Sequence, residues 1–438
     1  MTVKGKKQFQ SPKGTFDILP EDQKYWEKVR KVIARVALGY GFERIDTPII
    51  EDADIYALAA GETADVVEKQ MYVFKSKGGD MLALRPEGTA GVMRAFLEHG
   101  MAQLPQPVKL YYIAPMFRYE QPQAGRYRQH HQAGFEIIGD QDPVYDAQVI
   151  HMYLVMGEEL GLKNLSIEIN SIGCAKCRPT YRAQLLRYYR SRTGKLCKDC
   201  KRRIKKNPLR LLDCKEEKCE QMGVNAPNLI DHLCSECHDH FKNVLEYLDE
   251  TGVPYVLNPH LVRGFDYYTK TVFEVFLEDE HIEGGNEKTH QRAKLALGGG
   301  GRYDYLAKTL GGRETPAVGA GLGMERLIGV MKKQGIKAPP LYKPEVFLVQ
   351  LGALSKKKSL RLFEELRKAG IVVAESFGKD SIKAQLRSAD RLGVKMSLIL
   401  GQKEAIDGVI LLREMETGAQ ESIEIEKVVK VIKERLKK

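Results

Sequence analysis

The sequence predicts an α+β fold: a mixed, mostly antiparallel sheet flanked by helices, interrupted by a cysteine-rich insertion and followed by a small α/β domain. Three observations carry this expectation. Strand-like and helix-like segments alternate irregularly over most of the chain, without the strict rhythm of a parallel βαβ sheet. All eight cysteines fall between Cys174 and Cys237. Beyond Ala338-Pro339-Pro340 the alternation becomes regular. A chain of 438 residues exceeds one ordinary core. The expected division is a main domain in two parts, 1–170 and 241–335, an insertion at 171–240, and a C-terminal domain at 342–438.

The first helix is expected over Gln23–Tyr40, where Tyr25, Val29, Val32, Ile33 and Val36 form one apolar stripe. Gly39 and Gly41 end it, and a strand at Phe42–Ile45 stops at Thr47-Pro48. Lys109–Tyr119 and His131–Ile138 read as strands, and the polar loop between them, with Pro122 and Gly125, makes a long antiparallel hairpin. Ser166–Ile169, Thr271–Phe276 and Ala317–Leu322 are further strands. In the last domain, strands at Val346–Gln350, Val372–Glu375, Ser397–Leu400 and Gly408–Glu414 are interleaved with helices at Lys358–Ala369 and Ser381–Leu392 and a last one from Glu426.

Composition narrows the function. The chain is 43% hydrophobic and 29% charged, and no apolar run approaches membrane-spanning length. Met1–Gln10 is polar and basic and lacks the apolar stretch of a secretory signal, so a cytoplasmic location is expected. The net charge of +11 and pI near 9.0 favour a polyanionic partner such as nucleic acid, or else a lysine-rich solvated surface.

Two segments point to phosphate chemistry. The hairpin carries Phe117-Arg118-Tyr119-Glu120, then Arg126-Tyr127-Arg128-Gln129-His130-His131-Gln132 and Gly134-Phe135-Glu136. Arginine grips two phosphate oxygens with a planar fork. Alternate strand residues share a face, so Arg118 and Glu120 point one way, as do Gln132, Gly134 and Glu136. The plainer alternative is an exposed hairpin with cross-strand ion pairs. The second segment, Pro316–Leu327, is a glycine-rich strand entering a helix with Arg326 in its first turn. Its glycines run GxGxG and lack the dinucleotide spacing. They admit either a ligand or tight packing.

These two pieces, with the helix–strand–Pro48 unit, resemble the three motifs of class II aminoacyl-tRNA synthetases. Leu261-Val262-Arg263-Gly264-Phe265-Asp266-Tyr267-Tyr268, Gly299-Gly300-Gly301-Arg302-Tyr303-Asp304 and Leu84-Arg85-Pro86-Glu87-Gly88-Thr89 resemble motifs of the histidine–tRNA ligase family. The resemblance spans nearly the whole chain. It implies ATP-dependent formation of histidyl-adenylate and transfer of histidine to tRNA(His). It also implies ATP with Mg2+, a homodimer built on the Pro48 unit, and a C-terminal anticodon-binding domain. Position by position, it implies that Arg118 binds the α-phosphate, Glu120 the adenine side, Arg126 the β/γ-phosphates and Arg326 the γ-phosphate. Glu87, Thr89, Gln132 and Glu136 would hold histidine, and Tyr267 and Tyr268 would line its ring. Arg263 would steady the α-phosphate charge, the alternative being an ion pair with Asp266 or a nearby carboxylate. Lys379, Lys383, Arg387 and Arg391 are candidate RNA-phosphate contacts, or a solvated helix face. Gln121, His130 and Tyr305 depart from the expected arginine, phenylalanine and glycine. The first departure removes a residue type expected at the tRNA acceptor end.

The cysteines stand as Cys174/Cys177, Cys197/Cys200, Cys214/Cys219 and Cys234/Cys237. Three of these pairs are CxxC, a zinc-knuckle spacing. Nesting suggests one site of Cys197, Cys200, Cys214 and Cys219 and another of Cys174, Cys177, Cys234 and Cys237, each for structural zinc. Other pairings, or reduced thiols without metal, are open. Two rival functions are a non-catalytic histidine-binding regulatory paralogue and a zinc-dependent RNA-binding module.

Overall fold

A proline at its start and Glu21 and Asp22 in its first turn suit the N-terminal end of the first helix, which runs Pro20–Gly39 in the computed structural model. Its buried stripe is Trp26, Val29, Val32, Ile33, Val36 and Ala37. Tyr25, expected in that stripe, is only half-buried, and Trp26 takes its place. Residues 9–61, 64, 66–121, 125–214, 216–278 and 295–437 are described. Most of Met1–Gln10, and Pro122 of the hairpin loop, lie outside them.

The chain divides into two compact units, Met1–Ala338 and Pro339–Lys438. The first is organised by an eight-stranded sheet. In spatial order its strands are Glu43–Arg44, Val108–Phe117, Gln129–Ile138, Ala317–Gly323, Leu295–Arg302, Thr269–Leu277, Leu165–Ser171 and Tyr255–Leu257. The outer pair at each end is parallel, and every pairing between them is antiparallel. Period-two alternation sends Tyr111, Ala133, Phe135 and Ile137 to one face of the hairpin, where they pack with the first helix and Val144–Leu160. The other face receives Leu110, Tyr112, Ala114 and Met116. Burying a large apolar side chain contributes roughly 1.5–3 kcal/mol, so the two faces make two separate cores.

The hairpin strand expected to reach Tyr119 ends at Phe117. Beyond it the backbone leaves the ladder: the Tyr119 N–H donates to the Gln70 carbonyl at 2.7 Å and the Glu120 N–H to that of Arg118 at 2.7 Å. A second sheet of Ile50–Asp52, Tyr72–Lys75 and Met81–Leu84 follows the Pro48 unit. Arg85 ties that unit to the main sheet, donating to the carbonyls of Thr47 at 2.8 Å and Pro115 at 2.9 Å.

The cysteine-bearing stretch is helical, with Arg178–Arg190, Lys198–Lys206 and Glu217–Gly223, and it returns to the sheet through Ser235–Glu250. The second unit has a five-stranded sheet in the order Val373–Glu375, Val346–Gln350, Met396–Leu400, Val409–Glu414 and Gln420–Glu424. The first three strands are parallel and the last two join antiparallel. Among the described residues no helix is long and apolar enough to cross a membrane.

Candidate active site

The second face of the large sheet carries a cavity of about 290 Å³. Its deep side is dry and internally paired. Glu136 is 1% exposed and accepts from Thr89 Oγ1 at 2.8 Å and from the Tyr303 hydroxyl. Glu87 accepts from the Thr89 and Ala90 backbone N–H groups at 2.6 and 2.9 Å, capping the helix Thr89–Glu98. Gln132 donates to the Tyr112 hydroxyl at 3.0 Å. Burial pushes the Glu136 carboxyl up to about 8, against the hydrogen bonds from Tyr303 and Thr89. Burial likewise raises Glu87, opposed by its backbone hydrogen bonds and by Arg118.

The glycine strand explains itself here. A Cβ on Gly319 would stand 1.8 Å from Glu136 Oε2, and one on Gly321 would stand 2.3 Å from Gln132 Nε2. The GxGxG pattern makes room for polar side chains of the neighbouring strand to lie across it.

The mouth of the cavity is cationic. Arg118, Arg126, Arg263 and Arg326 all line it, with Glu120, Glu274, Glu325 and His130. Arg118 Nε donates to the Pro86 carbonyl at 2.8 Å, and Arg126 lies 3.7 Å from Glu120. Arg326 donates to the carbonyls of Ala296 at 2.7 Å and Gly125 at 3.0 Å. Burial, then the nearby Arg126, lowers Arg326 from its usual range. Burial and the flanking Arg118 and Arg326 press His130 down to about 3, so its imidazole is neutral at physiological pH. Glu325 fastens the glycine-strand helix to the hairpin, accepting from His131 N and Nδ1, both at 2.8 Å.

Arg263 spans the two regions. It is paired with Glu274, and its guanidinium carbon lies 5.7 Å from the Tyr268 ring centre. Burial alone would lower its pKa, but Glu274 and then Tyr268 more than offset that, so it stays cationic. Its partner is Glu274 rather than Asp266, which accepts from Asn207 Nδ2 at 2.7 Å.

Ten of the eleven expected substrate residues line this one cavity: Glu87, Thr89, Arg118, Glu120, Arg126, Gln132, Arg263, Tyr267, Tyr268 and Arg326. Glu136 lies beneath it and reaches it through Thr89. Tyr112, Tyr303 and Glu274 were not anticipated as site residues. Of the motif Gly299–Asp304, Arg302 is fully buried and faces away from the cavity. It pairs with Asp146, with Nε at 3.0 Å, and donates to the Asp140 carbonyl at 3.0 Å. Burial would raise Asp146, but Arg302 and His240 hold it well below the usual carboxylate range. Of the three departures, His130 lines the cavity, Gln121 is exposed and Tyr305 is half-buried.

The cysteines form two groups, Cys174, Cys177, Cys234 and Cys237, and Cys197, Cys200, Cys214 and Cys219. Within each, all four sulfurs lie within 4.8 Å of one another. Cys174–Cys177, Cys177–Cys237 and Cys197–Cys214 are 3.8 Å apart, and Cys174–Cys234 is 3.9 Å. A tetrahedron of ~2.3 Å metal–sulfur bonds has edges of about 3.8 Å, so both groups fit a metal ion such as zinc. Backbone N–H groups of Cys174 and Lys176 donate to the sulfurs of Cys177 and Cys174 at 3.1 and 3.3 Å.

An antiparallel sheet whose arginine-bearing hairpin faces a glycine strand and an arginine helix is the catalytic architecture of class II aminoacyl-tRNA synthetases. Residues 14–327 match the histidyl-tRNA synthetase family, and 345–435 match an anticodon-binding domain. The chain belongs to the histidyl-tRNA synthetase family. It is 49% identical to a histidine–tRNA ligase of Dehalococcoides mccartyi over 428 residues, 98% of this chain and 100% of the other. A histidine–tRNA ligase of Desulforamulus reducens is 42% identical over 424 residues, 97% of this chain and 99% of that one. The crystal structure of the apo S. aureus histidyl-tRNA synthetase is 35% identical with a TM-score of 0.80, covering 97% of this chain and 100% of that chain.

Proposed function

We propose that this chain activates L-histidine with ATP to histidyl-adenylate and transfers the histidyl group to the 3′ end of tRNA(His). The observation that carries this reading is the single cavity in which four arginines meet a buried carboxylate–tyrosine floor. In activation, a histidine carboxylate oxygen attacks the α-phosphorus. A new P–O bond forms, the bond to the β-phosphate oxygen breaks, and pyrophosphate leaves with the electron pair.

Arg118 and Arg263 bear on the α-phosphate, where charge develops. Fixed cations in a partly dry site stabilise that charge without reorganising. Arg126 and Arg326 take the β- and γ-phosphates, and Glu120 the adenine side. Magnesium would accompany ATP and supply positive charge on the phosphates, with one or two carboxylates of the protein as added ligands. Glu274, which lines the mouth and is shared with Arg263, is a carboxylate that could contribute. Histidine lies over Glu87, Thr89 and Gln132, with its ring against Tyr267 and Tyr268. Glu136 acts from below, through Thr89. Imidazole offers one donor and one acceptor, so a floor with both leaves an apolar competitor's site unpaired.

The second unit would bind the anticodon. On its helix Ile382–Leu392, Lys383, Arg387 and Arg391 recur four apart on an exposed face, beside Lys379. Exposed Ile50 and Phe74, which the strand register puts on one face of the small sheet, support a homodimer through that face. Each four-cysteine group would hold one structural zinc.

The test is histidine-dependent exchange of labelled pyrophosphate into ATP, run with each amino acid and with Arg263→Ala. Exchange with histidine alone, reduced on the order of 10²–10³-fold in the variant, is expected. No exchange by the folded protein would overturn the enzymatic reading and favour a regulatory histidine-binding role.

A further inference from the structure

The cysteine group at the root of the insertion is wired to the pocket. Cys174 follows directly on the strand Leu165–Ser171. Between them, the Ile172 N–H donates to the Lys270 carbonyl at 2.8 Å, and the Lys270 N–H donates to the Gly173 carbonyl at 2.9 Å. Arg178, next after Cys177, donates to the carbonyls of Tyr268 and of Ile172, the latter at 3.0 Å. Glu236, between Cys234 and Cys237, lies 3.2 Å from Lys270 Nζ. Both halves of the group therefore close on Tyr268–Lys270, the segment that carries the tyrosine wall of the cavity.

Lys270 is strained. Its φ is +46°, a left-handed conformation that a side-chain-bearing residue adopts only when its surroundings impose it. What imposes it is the backbone pair to 172–173 and the ion pairs to Glu236 and, at 3.5 Å, Asp304. The other cysteine group reaches the same loop by weaker side-chain contacts, one of them from Arg210 to the Gly264 carbonyl at 3.4 Å. The other is from Asn207, the residue that ends the helix through Cys200, to the Asp266 carboxylate beside Tyr267, an exposed hydrogen bond of 2.7 Å.

We propose that the group Cys174, Cys177, Cys234 and Cys237 is a positioning site for the Tyr267–Tyr268 wall, so that its integrity sets the affinity for the amino acid. This rests on the reading of that pocket as the histidine site. A metal there would lock four sulfurs, and with them the start of Arg178–Arg190 and of Ser235–Glu250, at the distance that keeps Arg178 on Tyr268 and Glu236 on Lys270.

The experiment uses the full-length chain and three readouts: zinc per chain, histidine Kd by calorimetry, and KM for histidine and ATP in pyrophosphate exchange. Cys234→Ser/Cys237→Ser should lose one zinc and weaken histidine binding on the order of tenfold, as a slightly displaced wall would. ATP KM should change clearly less than the histidine Kd, because Arg263 is the mouth arginine that lies against the Tyr268 ring, while Arg126 and Arg326 are held by other contacts. Arg178→Lys keeps every thiol, so it should keep its zinc and still weaken histidine binding. Cys197→Ser/Cys200→Ser should lose one zinc and weaken histidine binding clearly less, because that group reaches the loop only through the Asn207–Asp266 and Arg210–Gly264 contacts. Parental histidine affinity in the Cys234/Cys237 variant, or equal losses from both groups, would overturn the proposal. If that variant does not fold, an unchanged Kd in Arg178→Lys overturns it. A parent without zinc whose Arg178→Lys form still loses affinity would remove the metal and keep the positioning role. A parent that bound no histidine would overturn both this and the pocket reading.

Discussion

The floor and the mouth of the cavity are built on opposite principles. In the floor, Glu87, Glu136, Tyr112 and Tyr303 are buried and paired, with the Thr89–Ala90 backbone, with Thr89 and Tyr303, and with the half-buried Gln132. In the mouth, Arg118, Arg126 and Arg326 crowd together with few carboxylates between them, and the neighbouring His130 is kept neutral. A buried polar network is rigid when fully paired and costly when broken. A cluster of like charges is relieved by an incoming polyanion. On the proposed reading, the floor is finished before substrate arrives and ATP completes the mouth. Substitutions in the floor should be read as lost stability together with lost histidine affinity, and those in the mouth as lost nucleotide affinity.

The sharpest break would come at the anchor behind the floor. Arg302→Ala leaves the fully buried Asp146 with His240, at 3.4 Å, in place of a guanidinium, and frees the backbone that presents Tyr303 to Glu136. Removing one partner of a buried pair costs about 3–5 kcal/mol, so the urea midpoint should fall sharply. A variant as stable as its parent would mean that the floor is not anchored there.

Next is the pH response of the floor. Glu136 titrates near 8 in the folded chain, above its ordinary range. Between that range and about pH 8 the folded state holds a proton that the unfolded state has lost. Stability should therefore fall as pH rises through that window, by at most ~1.4 kcal/mol per pH unit, relative to Glu136→Gln. Denaturant midpoints of the two proteins at pH 5 and 8 test this. Parallel pH profiles would show that Glu136 is ionised throughout. Gly319→Ala should follow, at about 1–3 kcal/mol, because its methyl group would meet Glu136 at 1.8 Å with the Phe135 carbonyl close behind. Thermal unfolding measures it.

The same contrast governs what could be read from the sequence. The mouth was legible because arginines in a tyrosine- and glycine-rich hairpin have no apolar role to hide in. The floor was half legible. Tyr112 is one of two adjacent tyrosines in an apolar strand, and only the register that brings Gly134 opposite it shows which one reaches the site. Glu274 looked like any polar residue on a strand face until its pairing with Arg263 appeared. Arg302 and Asp146 stand 156 residues apart, so no local pattern joins them. In the second unit, Gln420–Glu424 was missed because only Ile423 of its five residues is buried, leaving no alternation to detect. The helix Gln402–Asp407 is too short to show a period.

The smallest effect tests the mouth most directly. Arg126 has a side chain 53% exposed and touches only Glu120, at 3.7 Å, among the ion pairs of the described residues. An exposed pair of that kind contributes less than about 1 kcal/mol, so Arg126→Ala should leave the unfolding midpoint unchanged. Its loss should instead raise the ATP KM in pyrophosphate exchange several-fold, without changing the histidine KM. Because the contact is solvent-accessible, added salt should shrink the difference between parent and variant. If the variant instead lost stability and histidine affinity together, the mouth would be part of the same packed network as the floor. The division between a finished floor and an ATP-completed mouth would then be wrong.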